Sequence, residues 1–468
     1  MSISSDKNLD LIVVLLISFG LLVTSAIAGV FMAYPLLAAL FLFVVVLRRR
    51  GFAVRSLAKM ALTGARQSLP VISVLLLIGM VTAIWMAAGT VPALVYYGTG
   101  LISPRFFILW AFILTGLLSS LIGTSFGAVG TVGVALMVMA RSSGVAVNPV
   151  AGAIIAGAFV GDRCSPMSSS AHLVASITQT SLHTNLRNMI RSGVWPMTLS
   201  LFFYALLSLF HPAQLTVSPI TAELLQAFNL APVVLLPASA ILLLAALRVE
   251  VKMAMLVSIG LGLAIAHHVQ NYSFFTLLHF TLFGYQQNIS PTLQPILLGG
   301  GLVPMAKATL VVLISTAFAG IFSGSRALSF VNGWFKDIRT QQQLSWATIS
   351  IAVLANLFGC TQTIGILLTG QVMRPYYTAF EASPDRTSDR THNKISERNS
   401  ADEKLAIALE DTAVVIAPLI PWNIAGLIPA TVLSIGPGFI PYTGYLLLLP
   451  LFLAFRPIKP VLEQRFSA

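Results

Sequence analysis

The chain has 468 residues, 57% hydrophobic and only 9% charged, with mean hydropathy +0.89. Soluble domains carry roughly a quarter charged residues, so a soluble enzyme or binding module is excluded and a lipid bilayer is the expected solvent. The net charge of +12 would suggest nucleic acid in a soluble protein, but here the basic residues lie in loops between apolar runs, where they set topology, and no nucleic-acid partner is expected.

A bilayer crossing needs about 20 apolar residues. By that measure spans are predicted near 10–28, 31–47, 69–89, 106–122, 148–160 continuing past 170, 194–210, 231–247, 253–269, 296–317, 344–357, 405–420 and 439–455. Shorter apolar pieces at 123–140, 272–283, 359–373 and 422–435 read as re-entrant or broken helices, for about ten to thirteen spans in an all-α integral membrane protein. The first span ends in Ala26-Ile27-Ala28, which imitates a signal-peptide cleavage site. Its apolar run exceeds the usual length, and Asp6 and Asp10 offset Lys7, so an uncleaved first helix is expected.

Arg48, Arg49, Arg50, Arg55, Lys59 and Arg66 follow the second span, Arg187 and Arg191 sit between later ones, and Arg456, Lys459 and Arg465 follow the last. The positive-inside rule then places the N-terminus, the 48–66 segment and the C-terminus in the cytoplasm, in the cytoplasmic membrane. The hydrophilic stretch 374–404 mixes both charges around Ser383-Pro384-Asp385 and reads as a solvated cytoplasmic loop.

Two stretches break the apolar pattern. Gly123-Thr124-Ser125-Phe126-Gly127-Ala128-Val129-Gly130-Thr131-Val132-Gly133 holds four glycines in eleven residues, and Gly161-Asp162-Arg163-Cys164-Ser165-Pro166 places an acid at membrane depth. Glycine loosens a helix, and freed backbone is tolerated there only inside protein or beside a wet cavity. An intramembrane acid is a functional-site candidate by default. The second half rhymes: Gly359-Cys360-Thr361-Gln362-Thr363-Ile364-Gly365 is followed by Glu410-Asp411-Thr412 and Ala417-Pro418-Leu419-Ile420-Pro421-Trp422-Asn423. Small residues alone also serve close helix packing. Paired broken segments carrying an acid, prolines and hydroxyls instead point to the binding site of a secondary transporter. The halves divide near residue 230, as 1–230 and 231–468, each with one of two inverted repeats.

Glycines 123, 127, 130 and 133, the 161–166 block, and Glu410-Asp411-Thr412-Ala413 with Pro418 to Asn423 together resemble the NhaC-type sodium/proton antiporters of the ion-transporter superfamily. The resemblance implies cation-coupled antiport across a cytoplasmic membrane. The family also contains carriers of small organic acids such as malate and lactate, so a proton- or sodium-coupled organic-acid exchanger is the alternative. Where typical members place an aspartate after the Ser-Pro motif, this chain has Ser169, which removes a candidate cation ligand. Restoring the acid would then strengthen sodium coupling.

Asp162 is the leading ion-binding candidate. Burial favours its neutral form and Arg163, if turned the same way, its charged form, so proton and cation (sodium or lithium) can compete for it. Neighbouring helical residues point about 100° apart, so one of Glu410 and Asp411 faces the pathway. Asp411 is favoured, with Thr412 and Asn423 at hand, and Glu410 is expected near Lys404. Asp162 and Asp411 are the candidate transient sodium ligands. Thr124, Ser125, Thr131, Ser165, Ser169, Thr361 and Thr363 are further oxygen donors suited to a hard cation. Lys307 could balance an acid or attract an organic anion, and His172 could pack or relay protons.

Cys164 and Cys360 cannot form a zinc cluster. Phe159 stands where the Gly-x-Gly-Asp motif of intramembrane proteases needs glycine, no His-Glu-x-x-His exists, and the glycine-rich stretch lacks the Lys-Ser/Thr of a phosphate-binding loop. Neither an enzyme nor a cofactor is expected. A homodimer is compatible with the sequence.

Overall fold

The computed structural model describes residues 3–101, 104–212, 219–247, 249–286, 299–328, 335, 338–382 and 394–455. Arg456, Lys459 and Arg465, and the centre of the 374–404 loop, lie outside the described residues. Those described are helical, with one isolated β-bridge between Tyr285 and Gly299.

The first group comprises α1 (Ile3–Ile27), α2 (Ala33–Arg49), α3 (Val54–Gln67), α4 (Leu69–Ala87) and α5 (Thr90–Leu101). Next come α6 (Phe107–Ile122), α7 (Ser125–Ser142), α8 (Val147–Cys164), α9 (Ser169–Thr178) and α10 (Leu182–Phe210). A connecting group follows: α11 (Pro219–Ala227), α12 (Pro232–Ala246), α13 (Val251–His268), α14 (Phe274–Phe283) and α15 (Leu302–Gly324). The last group is α16 (Gln341–Gly359), α17 (Gln362–Glu381), α18 (Lys394–Asp411), α19 (Ile424–Val432) and α20 (Gly444–Phe455).

Seven described helices are long and apolar enough to cross a membrane, or eight if the bent pair Ser400–Leu419 and Ile424–Val432, at 49° to one another, is one span. This is a multi-pass membrane protein. The larger expected total had counted shorter apolar helices such as α2 with 17 residues and α20 with 12.

The basic 54–67 segment is a helix rather than a loop. Leu57, Met60, Ala61 and Gly64 recur at helical spacing and make an apolar face, which packs on α15. A Cβ on Gly64 would come within 2.1 Å of the Thr316 carbonyl oxygen, while Arg55, Lys59 and Arg66 stay exposed. At the foot of the first hairpin Arg50 pairs with Asp10.

Four helix interruptions frame the interior. Gly123 and Thr124 separate α6 from α7, Ser165 to Ser168 separate α8 from α9, Cys360 and Thr361 separate α16 from α17, and residues 412–423 separate α18 from α19. The glycine-rich 123–133 stretch is therefore less unwound than its composition suggested. The break is confined to its first two residues, and Val129–Gly133 form one widened turn within α7. Gly123 is in the left-handed region at φ +77°, and a Cβ there would meet the Met167 backbone at 2.6 Å, so only glycine suits this corner. Cys360 takes the same left-handed conformation at φ +50°. One continuous apolar cluster links both halves around these breaks.

Candidate functional site

α6 and α8 run parallel and nearly touch, because Gly161 has no side chain: a Cβ there would fall 2.0 Å from the Ser119 carbonyl carbon. Ser119 Oγ donates to the Ala158 carbonyl. This contact fixes the next residue, Asp162, which is buried in the last turn of α8. The last carbonyls of a helix lack N–H partners. Here the hydroxyls of Ser168 and Ser170 donate to the Asp162 carbonyl, Ser170 at 2.7 Å. The Asp162 side chain accepts from Gln362 Nε2 at 2.9 Å, with the Ser125 backbone N–H and the Ser170 hydroxyl close by. Ser125 and Gln362 are the first residues of α7 and α17, so the carboxylate lies beside two dipole-positive helix ends.

Arg163 turns away from Asp162. Its side chain is fully buried and its Nε donates to Asp411 Oδ1 at 3.0 Å, with Nη2 on the same oxygen. Nη1 reaches Tyr445 Oη at 3.2 Å and Cys164 Sγ at 3.0 Å. Nη2 also reaches Ser192 Oγ at 2.7 Å and the Met189 carbonyl at 3.1 Å. Asp411 is thus held in a buried ion pair, whereas the sequence reading had it facing a pathway. Lys404 does not serve Glu410; it pairs with Glu381 at 2.8 Å. Glu410 is fully buried in the field of Arg163, Asp411 and Asp162, and neither of its oxygens has a hydrogen-bond partner among the described residues.

Most of the hydroxyl candidates are occupied locally. Thr131 Oγ1 donates to the Gly127 carbonyl at 2.7 Å, Thr412 Oγ1 to Ala408 at 2.5 Å, and Ser165 Oγ accepts from the Met167 N–H at 3.2 Å. Thr361 caps α17 through the Ile364 N–H at 3.2 Å, and Thr124 precedes α7 without a side-chain cap. Asn423 caps α19 through Ala425 at 3.1 Å and donates to the Asn356 carbonyl at 3.1 Å. Thr363 and Ser169 are exposed: Ser169 points out of the cluster while Ser168 and Ser170 face in. His172 Nδ1 lies 2.8 Å from the carbonyl oxygen of Ser168, the residue that caps its own helix. Lys307 lines a separate, mostly apolar cavity of about 390 Å³ with residues such as Phe31, Val311 and Leu427, and no carboxylate. Cys164 and Cys360 are free thiols.

Gln362 and the Ser168–Ser170 pair are the residues that sequence reasoning missed. Gln362 stood inside the quoted interruption, immediately after the capping Thr361, but an amide was not weighed beside acids and hydroxyls. Among the described residues no group of three or more His, Cys, Asp or Glu side chains is placed to hold a metal ion. The oxygens around Asp162 suit a transient hard cation rather than a resident transition metal.

Known proteins bear on this arrangement. The chain is 30% identical over 412 residues to the Na⁺/H⁺ antiporter NhaC of Bacillus subtilis, covering 86% of each. It is 25% identical over 419 residues to the malate-2H⁺/Na⁺-lactate antiporter of the same organism, covering 87% of this chain and 85% of that one. With the arginine/ornithine antiporter ArcD of Halobacterium salinarum it shares 25% identity over 386 residues, 79% of this chain and 75% of that one. The model of the Na⁺/H⁺ antiporter family matches residues 7–185 and 157–454, so both the Asp162 and the Asp411 segments fall inside it, and the chain belongs to the Na⁺/H⁺ antiporter family.

Proposed function

We propose that the protein is a secondary active transporter that exchanges sodium or lithium for protons by alternating access, with Asp162 binding either the cation or the proton. The observation that carries this is the seat of Asp162: a buried carboxylate of the first half at the seam between two helix interruptions, met by the amide of Gln362 from the second half. Two solutes competing for one carboxylate give antiport when the carrier reorients only with a solute bound. Arg163 and Asp411 are the scaffold that holds α8, α10 and α18 together around it.

The two halves, 1–230 and 231–468, are read as inverted repeats. Ser119 and Asn356, 237 positions apart, each donate to a carbonyl of the following broken segment, Ala158 and Ala413. Gly123 and Cys360 share the left-handed corner at the same offset. Ala158 and Ala413, Pro166 and Pro421, and the capping pair Ser168 and Asn423 each lie 255 positions apart. The N-terminus and the exposed basic face of α3 are assigned to the cytoplasm of a cell with a bounding cytoplasmic membrane; a cysteine placed at Arg50 should resist labelling by an impermeant reagent in intact cells.

The similarity to a malate–lactate exchanger favours one second reading, exchange of a small organic acid coupled to sodium or protons. Purified protein in proteoliposomes with an internal pH dye, challenged with gradients of sodium, lithium, potassium, malate and lactate, separates the two. Proton movement driven by sodium or lithium alone supports cation exchange; movement only with an organic acid supports the alternative.

A further inference from the structure

The Gln362 side chain sits between two oxygens from different parts of the chain. Its Nε2 is 2.9 Å from Asp162 Oδ2 and 3.2 Å from the Val414 carbonyl oxygen. A carboxylate and a carbonyl both accept hydrogen bonds, so the amide must present its NH₂ end here and aim Oε1 elsewhere. One anionic and one neutral oxygen converging on a single point is also the kind of donor set that a small hard cation takes. The amide nitrogen stands where such a cation would lie.

We propose that Gln362 is a plug at the Asp162 site, and that a monovalent cation binds between Asp162 and Val414 by displacing its NH₂ group. This rests on the proposed function and adds what that function lacks, a link between binding and motion. Gln362 opens α17, and Thr361 just before it caps that helix. Asp162 belongs to α8 in the other half, and Val414 follows the end of α18. Displacing one side chain therefore breaks a bond from the α16–α17 hairpin to each neighbour at once, and leaves the hairpin tied through the Cys360 carbonyl to Ile424 and through Asn356 to Ala413. Binding at Asp162 is in this way felt by the C-terminal half through a neutral side chain. Nearby groups are otherwise committed: Arg163 faces Asp411 and Asn356 faces Ala413, so among the described residues no other side-chain donor bridges Asp162 to the C-terminal half.

The plug also competes with the cation. To bind, the cation must break the amide's hydrogen bond to a charged carboxylate. With water taking over part of the lost bond, removal of the amide should tighten cation binding by about five- to tenfold. The test compares the full-length parent with Gln362→Ala and Gln362→Met, the second filling the space without a donor. Half-saturating sodium, lithium and potassium are read from cation-dependent protection against heat in detergent at fixed pH, and proton leak from dye-loaded vesicles without a cation gradient. Both variants should show five- to tenfold lower half-saturating sodium or lithium and a faster leak. Unchanged or weaker cation protection in both variants overturns the plug while leaving the exchange reading standing. A parent that responds to none of the three cations overturns the plug and cation exchange together.

Discussion

Asp411→Asn tests whether the Arg163–Asp411 pair is the strut of the interior. In the parent the guanidinium is fully buried, and two of its nitrogens share one Asp411 oxygen. Its other contacts are a phenol, a thiol, a hydroxyl and a carbonyl, all neutral, so Asp411 is the counter-charge bonded to it. An asparagine keeps the shape and one acceptor but leaves the buried cation without its bonded counter-charge, with only Glu410, which makes no bond to it, in its field. Removing one member of a buried pair costs about 3–5 kcal/mol, and even the lower figure shifts the folded-to-unfolded ratio by roughly a hundredfold. Replacing both members by neutral groups is far less costly, so Arg163→Gln with Asp411→Asn should recover most of the loss. The assay is the fraction of protein that stays monodisperse in detergent after a temperature ramp, for the parent, the two single variants and the double variant. Equal thermal resistance of Asp411→Asn and the parent, or strictly additive losses in the double variant, would refute the reasoning, because a coupling near zero means the pair is not the strut.

Asp162→Asn should abolish cation-driven proton movement in proteoliposomes while the protein extracts and elutes as the parent does; exchange at the parental rate would make Asp162 structural. Gly161→Ala should cut the yield of folded protein several-fold, since its Cβ would strike the Ser119 backbone, whereas Gly260→Ala, with open space around it, should be tolerated; matching yields would show that α6 and α8 can separate freely. Ser169→Asp should leave half-saturating sodium within about twofold of the parent, because the side chain is exposed to solvent that screens its charge; a marked tightening would place residue 169 on the cation route after all.

The helices and their breaks were largely legible in the sequence because both are local. Hydropathy reports a span within its own 20 residues, and Gly123-Thr124, Ser165-Pro166 and Pro421 announce interruptions through their own backbone chemistry. The basic 54–67 segment was misread as a loop because its charges outweighed a four-residue apolar face that has meaning only once α15 lies against it. The candidate site was legible in part. Asp162 stood out as an acid at membrane depth, but its partner Gln362 is 200 positions away, and the partner that Arg163 chose over its neighbour is 248 away. No local pattern encodes such choices. The same limit explains the hydroxyls: Thr131, Thr361 and Thr412 look like cation ligands by type, yet each satisfies backbone a turn or less away, which is the usual fate of threonine in or at the start of a helix.

The pairing of the two acids shows how a repeat can mislead. By sequence, Asp162 and Asp411 appear as matching acids after matching interruptions. In the proposed register, set by Pro166 with Pro421 and Ser168 with Asn423, the position 255 beyond Asp162 is Ala417, and Asp411 falls opposite Ala156. The acids are then six residues out of step, which is more than a helical turn, and this is why one lies at the seam and the other deeper along α18 on Arg163. Repeated backbone geometry supplies two corners and two breaks, but a carboxylate at only one of them. An anion at both would place like charges across the seam in a low dielectric, where their repulsion is strong. With alanine at the second break, the other half reaches Asp162 through Gln362, a neutral donor, and under the proposed exchange this asymmetry of charge would let one half bind while the other responds.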